Sequence, residues 1–308
     1  MRLGVIDIGS NTVHLLVMEA RHGARPVPQA SHKTTVRLMR YLEPDGSISA
    51  EGVAALHGAV GDAVAVGREH GIEATMALAT SALRDATNGA RLIADLSELA
   101  GVPVEVLGGE EEARLTFLAA RRWYGWGAGR LLLLDIGGGS LEIASGVDEA
   151  PDVALSVPLG AGRTTREFLY EEDPPAKRDV ERLRKHARRV LQDAVGPVRD
   201  APAPDHAVAT SKTFRSLARL AGMPRQVMGT GERWRMRQEH LADWEPRLAK
   251  LSSGDRTVLP GIGPGRARQI VAGAVVAEEA MRALDVDEVE ICPWALREGA
   301  ILQRLDHL

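Results

Sequence analysis

The feature that most constrains this chain is a strand-and-turn pattern written twice. Residues 3–19 read LGVIDIGSNTVHLLVME and residues 131–146 read LLLLDIGGGSLEIASG. In each, an apolar run ends in Asp-Ile-Gly, small or polar residues follow, and an alternating segment resumes. Asp7, Gly9 and Thr12 thus match Asp135, Gly137 and Ser140, at an offset of 128 residues in a chain of 308. One hairpin with a glycine turn is ordinary. Two copies, each opening one half of the chain, predict two similar domains, expected at 1–124 and 125–308, with the last helix able to pack back on the first.

Strand-like and helical segments interleave throughout, which reads as α/β architecture with mixed sheets flanked by helices. Hairpins are expected over 3–8 with 13–19 and over 131–136 with 141–145. Further short strands fall near 73–79, 102–107, 206–209 and 288–291. Helical spacing predicts helices near 50–70, 89–100, 110–124, 163–170, 176–195 and 266–284, with a closing helix from 296, and the stretch 228–255 also reads as helical. Gly125-Trp126-Gly127-Ala128-Gly129 makes a hinge between the halves, and Thr210 or Ser211 can cap the helix that follows them.

Composition removes several classes of function. The single cysteine, Cys292, excludes an internal disulfide, the first residues lack an export signal, and no apolar run approaches the ~20 residues that span a bilayer. A cytoplasmic protein with no membrane partner is expected. A formal net charge of −4 argues against a general nucleic-acid binder, so a polyanion would have to be gripped locally. The densest basic run is Lys177, Arg178, Arg182, Arg184, Lys185, Arg188 and Arg189. It carries Val180, Leu183, Ala187, Val190 and Ala194 at helical spacing and reads as the solvated face of an amphipathic helix.

The repeated turn has a chemistry. A strand ending in Asp and a glycine turn places backbone N–H groups and a carboxylate together, as phosphate and its metal require. Glycine lets the backbone approach phosphate closely, and Ser or Thr hydroxyls add donors. A pseudo-twofold arrangement of the halves is expected to bring both turns to one interdomain cleft.

These residues resemble the actin-like ATPase superfamily, built from two ribonuclease-H-like domains. Within it they are similar to the exopolyphosphatase and guanosine pentaphosphate phosphatase (Ppx/GppA) family. The matching pieces are Asp7 to Thr12, Ala79 to Asn88, Glu111 to Arg114, Asp135 to Glu142, Pro158 to Gly160 and Leu296 to Gly299, in family order from end to end. The resemblance implies a hydrolase releasing terminal orthophosphate from inorganic polyphosphate. The alternatives are a guanosine pentaphosphate phosphohydrolase, linked to the stringent response, and a sensor of guanosine penta- or tetraphosphate or of polyphosphate that does no chemistry. A homodimer is also implied.

By the same resemblance Glu112 is the catalytic glutamate that orients the attacking water, although Glu110, Glu111 and Glu112 also favour the positive end of a helix dipole. Asp7, Asp135 and Glu142 are the candidate contacts to Mg2+ or Mn2+, with Asp7 equally able to cap its own turn. Ser10, Asn11 and Thr12 face Gly137, Gly138, Gly139 and Ser140 as phosphate donors. Arg84 matches the family arginine expected on phosphate, a task suited to a planar guanidinium. Arg37, Arg40, Arg163 and Arg166 are weaker candidates for the distal chain.

Sugar and acetate kinases share the fold but carry a glycine-rich adenosine turn. The counterpart here, Ala207-Val208-Ala209-Thr210-Ser211-Lys212-Thr213, has no glycine, which disfavours a kinase. Arg268 stands where many relatives have an acid. Longer relatives carry further helical domains, so a chain stopping at Leu308 is expected to prefer short or medium polyphosphate.

Overall fold

A computed structural model describes residues 1–21, 26–227 and 231–307. The chain forms two compact units, Met1–Leu115 with Leu296–Leu308, and Thr116–Ala295.

The first unit comprises β1 (Arg2–Ile8), β2 (Thr12–Glu19), β3 (Val27–Thr35), α1 (Ala50–Glu69), β4 (Ala74–Ala79), α2 (Ser81–Arg84), α3 (Gly89–Ala100), β5 (Val104–Val106) and the start of α4 (Gly109–Tyr124). Its sheet has the order β3-β2-β1-β4-β5, antiparallel across β3, β2 and β1 and parallel from β1 through β4 to β5. Strand β1 is buried on both faces, so its apolar residues divide by period two. Ile6 and Ile8 pack with Leu56, Val60 and Ala63 of α1. Leu3 and Val5 pack with Leu115, Ile301 and Leu305 on the other face. Ser49 caps α1 by accepting the Gly52 amide, fixing where that covering helix begins.

The second unit continues with β6 (Leu131–Ile136), β7 (Leu141–Gly146), β8 (Val153–Val157), α5 (Ala161–Phe168), α6 (Lys177–Ala194), α7 (Gly196–Arg199), β9 (His206–Ala209), α8 (Ser211–Ala221), β10 (Met223–Val227), β11 (Gly231–Arg237), α9 (Gln238–Lys250), α10 (Ser253–Arg256), α11 (Ile270–Ala283) and β12 (Glu288–Ile291). The chain ends with α12 (Leu296–Asp306), which belongs to the first unit. The second sheet has the order β10-β11-β12-β9-β6-β7-β8. Read from β8, its first five strands repeat the order and directions of the first sheet, with β10 and β11 added at the far edge. Helix α11 is its spine, buried from Ile270 through Met281.

Several elements differ from the sequence expectation, each for a physical reason. The hairpins extend into three-stranded meanders through β3, which is mostly exposed, and β8, which is half-buried, so neither gives much apolar signal. Of the stretch read as helical, 228–230 lies outside the described residues, and Gly231–Arg237 is a strand. Its arginines imitate a charged helix face but pair across strands, Arg233 and Arg235 with Glu290 and Arg235 with Glu288. The 125–129 run lies inside the second unit, where the buried Arg121 guanidinium donates to the carbonyls of Gly125, Gly129 and Gly146. The basic run on α6 is only partly a solvated face. Arg184 pairs with the buried Glu245, Glu278 and Glu279, and Arg188 with Glu279.

Candidate active site

In both units the candidate residues gather at the carboxyl ends of the parallel strands, where open α/β sheets bind ligands. In the first unit the β1–β2 turn is closed by the Gly9 amide donating to the Thr12 carbonyl at 3.0 Å. Ser10 and Asn11 are buried there, and the Ser10 hydroxyl lies 3.2 Å from that of Ser81. The Asn11 carbonyl accepts the amides of Val36 and Arg37, the latter at 2.9 Å. Arg37 adopts the left-handed conformation at φ 59°, uncommon for a non-glycine residue, and so stands against the turn. Asp7, near the end of β1, accepts a hydrogen bond from Arg297 of α12 at 3.1 Å. Burial pushes the Asp7 carboxyl above its ordinary range, and the charges of Arg297 and Lys33 pull against that rise.

The three acids opening α4 are sorted by the helix. Glu110 is exposed, Glu111 half-buried and Glu112 buried. Glu112 accepts a hydrogen bond from Arg84 Nη1 at 2.9 Å, and the same nitrogen donates to the Leu107 carbonyl at 2.7 Å. Arg84 Nε reaches Asp85 at 3.4 Å. Arg84 and Glu112, assigned separate tasks from sequence, are thus one ion pair whose arginine is anchored on the loop ahead of α4.

In the second unit the Gly137 amide closes the β6–β7 turn on the Ser140 carbonyl at 2.9 Å, the same bond as in the first copy. The carbonyls of Gly137 and Gly138 point back to accept the amides of Ala161, Gly162 and Arg163 at the start of α5. The amides of Gly138, Gly139 and Ser140 have no backbone acceptor among the described residues. That polarity is what a phosphate cradle requires. Gly160 makes the close approach possible, since a Cβ there would lie 2.3 Å from Gly139 C and Ser140 N. Arg163 Nε donates to the Gly139 carbonyl at 2.9 Å, while Arg40 and Arg166 are exposed.

Asp135 and Glu142 stand opposite one another in the β6–β7 register. The Thr210 hydroxyl donates to Asp135 Oδ2, and the Ser156 hydroxyl donates to Glu142 Oε1 at 2.9 Å. Arg266 lies near Asp135, and burial lowers its guanidinium to about 10. Among the described residues no cluster of three or more His, Cys, Asp or Glu side chains forms a cage for a metal. Asp135 and Glu142 in the second unit, and separately Asp7 in the first, are hard oxygen donors of the kind that a cation such as magnesium takes one or two at a time, with water and phosphate completing its shell.

Ser81, Ser156, Thr210, Arg266 and Arg297 were not singled out for the site from sequence. One signal does reveal two of them. Ala-Thr-Ser occurs at residues 79–81 and again at 209–211, each time between a parallel strand and a helix, so it is a second internal repeat. Thr210 spends its hydroxyl on Asp135 and makes no side-chain cap.

Residues 16–308 match the Ppx/GppA phosphatase family. Over 306 residues the chain is 50% identical to exopolyphosphatase 1 of Mycobacterium tuberculosis strain H37Rv, covering 99% of this chain and 89% of that protein. It is 49% identical to the exopolyphosphatase 1 of Mycobacterium leprae, over 99% of this chain and 90% of that protein. Among solved structures, an exopolyphosphatase from Cytophaga hutchinsonii superimposes with a TM-score of 0.86 at 24% identity, covering 100% of this chain and 99% of the other. An Aquifex aeolicus Ppx/GppA family member superimposes with a TM-score of 0.78 at 22% identity, covering 100% and 98%. At those identities the structural likeness speaks for the fold.

Proposed function

The chain belongs to the Ppx/GppA phosphatase family, and from that premise we propose that it is an exopolyphosphatase removing terminal orthophosphate from inorganic polyphosphate by in-line attack of water. The observation that carries this reading is the phosphate-cradle turn built twice, closed each time by the same Gly-to-hydroxyl-residue hydrogen bond. That both turns act on a common phosphate chain is part of the proposal.

Phosphoryl transfer asks the protein for a positioned nucleophile and for charge against the non-bridging oxygens. Glu112 supplies the first, accepting a hydrogen bond from the attacking water and taking its proton as the new P–O bond forms. The contact from Arg84 fixes the direction of that carboxylate, and the guanidinium faces phosphate oxygens as a planar donor. The amides of Gly138, Gly139 and Ser140 hold phosphate on the second turn, with Ser10, Asn11 and Thr12 doing so on the first. Asp7, Asp135 and Glu142 are the residues that would hold Mg2+ or Mn2+. When bound, the cation neutralises phosphate oxygens and so eases departure of the shortened chain.

Phosphate release from polyphosphate, guanosine pentaphosphate and ATP, measured side by side with and without magnesium, tests the reading. Magnesium-dependent release from polyphosphate in preference to the other two is expected. Hydrolysis of the guanosine compound alone would make the protein an alarmone phosphatase, and release from none would leave it a sensor.

A further inference from the structure

We propose that Arg37 is a positioning residue for the reaction: held in the left-handed conformation between two core anchors, it draws the Ser10 and Asn11 carbonyls back from the first glycine turn and so keeps that turn's N–H edge toward phosphate. This rests on the exopolyphosphatase reading above and adds to it how the first grip is held in shape, through the backbone of residue 37 and not its guanidinium.

The brace begins where β3 ends. Its last residue, Thr35, stands opposite Thr12 at the start of β2, so the chain leaves the sheet directly beside the turn. The Val36 amide donates to the Asn11 carbonyl at 3.0 Å, the Arg37 amide to the same carbonyl at 2.9 Å, and the Leu38 amide to the Ser10 carbonyl at 2.8 Å. Successive amides of an extended strand point to opposite sides, so residues 36 and 37 could not share one acceptor there. Residue 37 supplies the bend, at φ 59° and ψ 55°. Both lone pairs of the Asn11 carbonyl are then engaged, and that oxygen no longer opposes an incoming phosphate.

The Arg37 side chain does not impose this conformation, since its buried Nε has no hydrogen-bond partner. The chain on either side imposes it. Val36 and Leu38 are both buried, packed in the core with Ile8, Val13 and Ile48. A left-handed backbone is costlier for arginine than for glycine. Such outliers persist where their surroundings over-determine them, and they cluster at functional sites.

The second turn is gripped in the same way by another route. The Ala161 amide donates to the Gly137 carbonyl, and the amides of Gly162 and Arg163 both donate to the Gly138 carbonyl. There the opening of α5 supplies three amides in ordinary helical backbone, with no residue at positive φ. In the first unit a strand end faces the turn, and the same three-bond arrangement is reached only through the left-handed residue. A grip reached twice by different backbone routes is required by the turn itself rather than by either surrounding fold.

Turnover of tripolyphosphate and of chains of hundreds of units by Arg37→Gly and Arg37→Val tests the brace. Glycine adopts the left-handed backbone freely, whereas a β-branched residue resists it. For Arg37→Val, kcat/KM should fall about tenfold, and equally on both chain lengths. Arg37→Gly should lose less, about threefold, because glycine keeps the bend while loosening it. Hydrogen exchange should quicken at the amides of residues 36–38 in Arg37→Val, with β1 and β2 still protected, which separates a displaced turn from a failure to fold. Equal losses in the two variants would overturn the brace by making the guanidinium the working group. A loss confined to long chains would overturn it by making Arg37 a distal contact, and no loss in Arg37→Val would overturn it outright. If the wild type released nothing from any polyphosphate, the exopolyphosphatase reading would fall, and the exchange contrast would still decide whether residue 37 holds the turn.

Discussion

The two glycine turns are copies in sequence and in their closing hydrogen bond, yet their aspartates are held by different means. In the first copy Ala79 pairs with Ile8, the residue after Asp7. In the second, Ala209 pairs with Leu134, the residue before Asp135. The strand carrying Ala-Thr-Ser therefore stops two residues earlier against its neighbour in the second unit. A shift of two preserves which face each side chain uses, so the core survives it. The hydroxyl of Thr210 consequently reaches Asp135, whereas Thr80 lies beyond Asp7 and a charged residue from the far end of the chain, Arg297, takes its place. One carboxylate is held by a neutral donor and the other by a cation. The first unit also holds the Arg84–Glu112 pair, while the second has its turn seated directly on α5. Under the proposed roles, the first of the two like turns belongs to the reactive side and the second to the rigid one.

The largest expected effect tests the reactive side. Glu112→Gln should lower kcat on polyphosphate by about 10²–10⁴-fold with polyphosphate binding retained, whereas Glu111→Gln should change little. Comparable losses from the two variants would mean that the acids serve only the helix terminus, and the contrast between the units would fail.

The rigid side is tested by adding one methyl group. Gly160→Ala forces a Cβ against the backbone of Gly139 and Ser140 and should destabilise the second unit by about 1–3 kcal/mol. Gly9→Ala meets nothing nearer than 3.4 Å and should be tolerated in the first. Chemical denaturation of both variants makes the comparison. Similar stabilities would show that the α5 contact does not stiffen its turn.

The means of holding each aspartate gives a smaller contrast. Arg297→Met leaves a buried carboxylate without its hydrogen-bonded counter-charge, Lys33 alone opposing it, and should cost about 2 kcal/mol. Thr210→Val removes one hydrogen bond and should cost about 1 kcal/mol. Both side chains of the Arg297–Asp7 pair are under a fifth exposed, so solvent screening trims that figure without removing it. Equal costs in urea titrations would erase the distinction.

What the sequence revealed follows the same division. Two strands ending in Asp-Ile-Gly, buried on both faces, were legible because apolar runs and glycine turns are local signals. Glu112 stood out through its neighbours in order, and the helix then buried it. Arg297 was not legible as a partner of Asp7, since 290 residues separate them and only packing of α12 on β1 joins them. Thr210 looked like a cap because a hydroxyl before a helix usually is one, and only the register of β9 against β6 redirects it to Asp135. Strand β11 was hidden by arginines whose partners lie on β12, across a sheet rather than along a helix.

The smallest effect concerns a position where the repeats chose different chemistry. Alignment of Ala79 with Ala209 sets Met76 of β4 against His206 of β9. Burial lowers the His206 pKa below its ordinary 6.5; Glu290, 4.0 Å away, opposes that shift, and Arg235 and Arg233 reinforce it. The Tyr124 ring packs edge-on against the imidazole at 4.9 Å between centroids. A histidine depressed on folding binds its proton more weakly in the native state, so its contribution is intact above the ordinary histidine value and is lost as pH falls below it. The second unit should therefore weaken as pH drops from 7.5 towards 5.5, with a slope from this one group of no more than about 1.4 kcal/mol per pH unit. His206→Gln should flatten that slope, and hydrogen exchange should place the change in β9 and β12 rather than in β4. The other shifted groups titrate alike in both proteins, so the difference between wild type and variant isolates His206. An unchanged slope would show that the imidazole ionises as freely in the fold as in the unfolded chain.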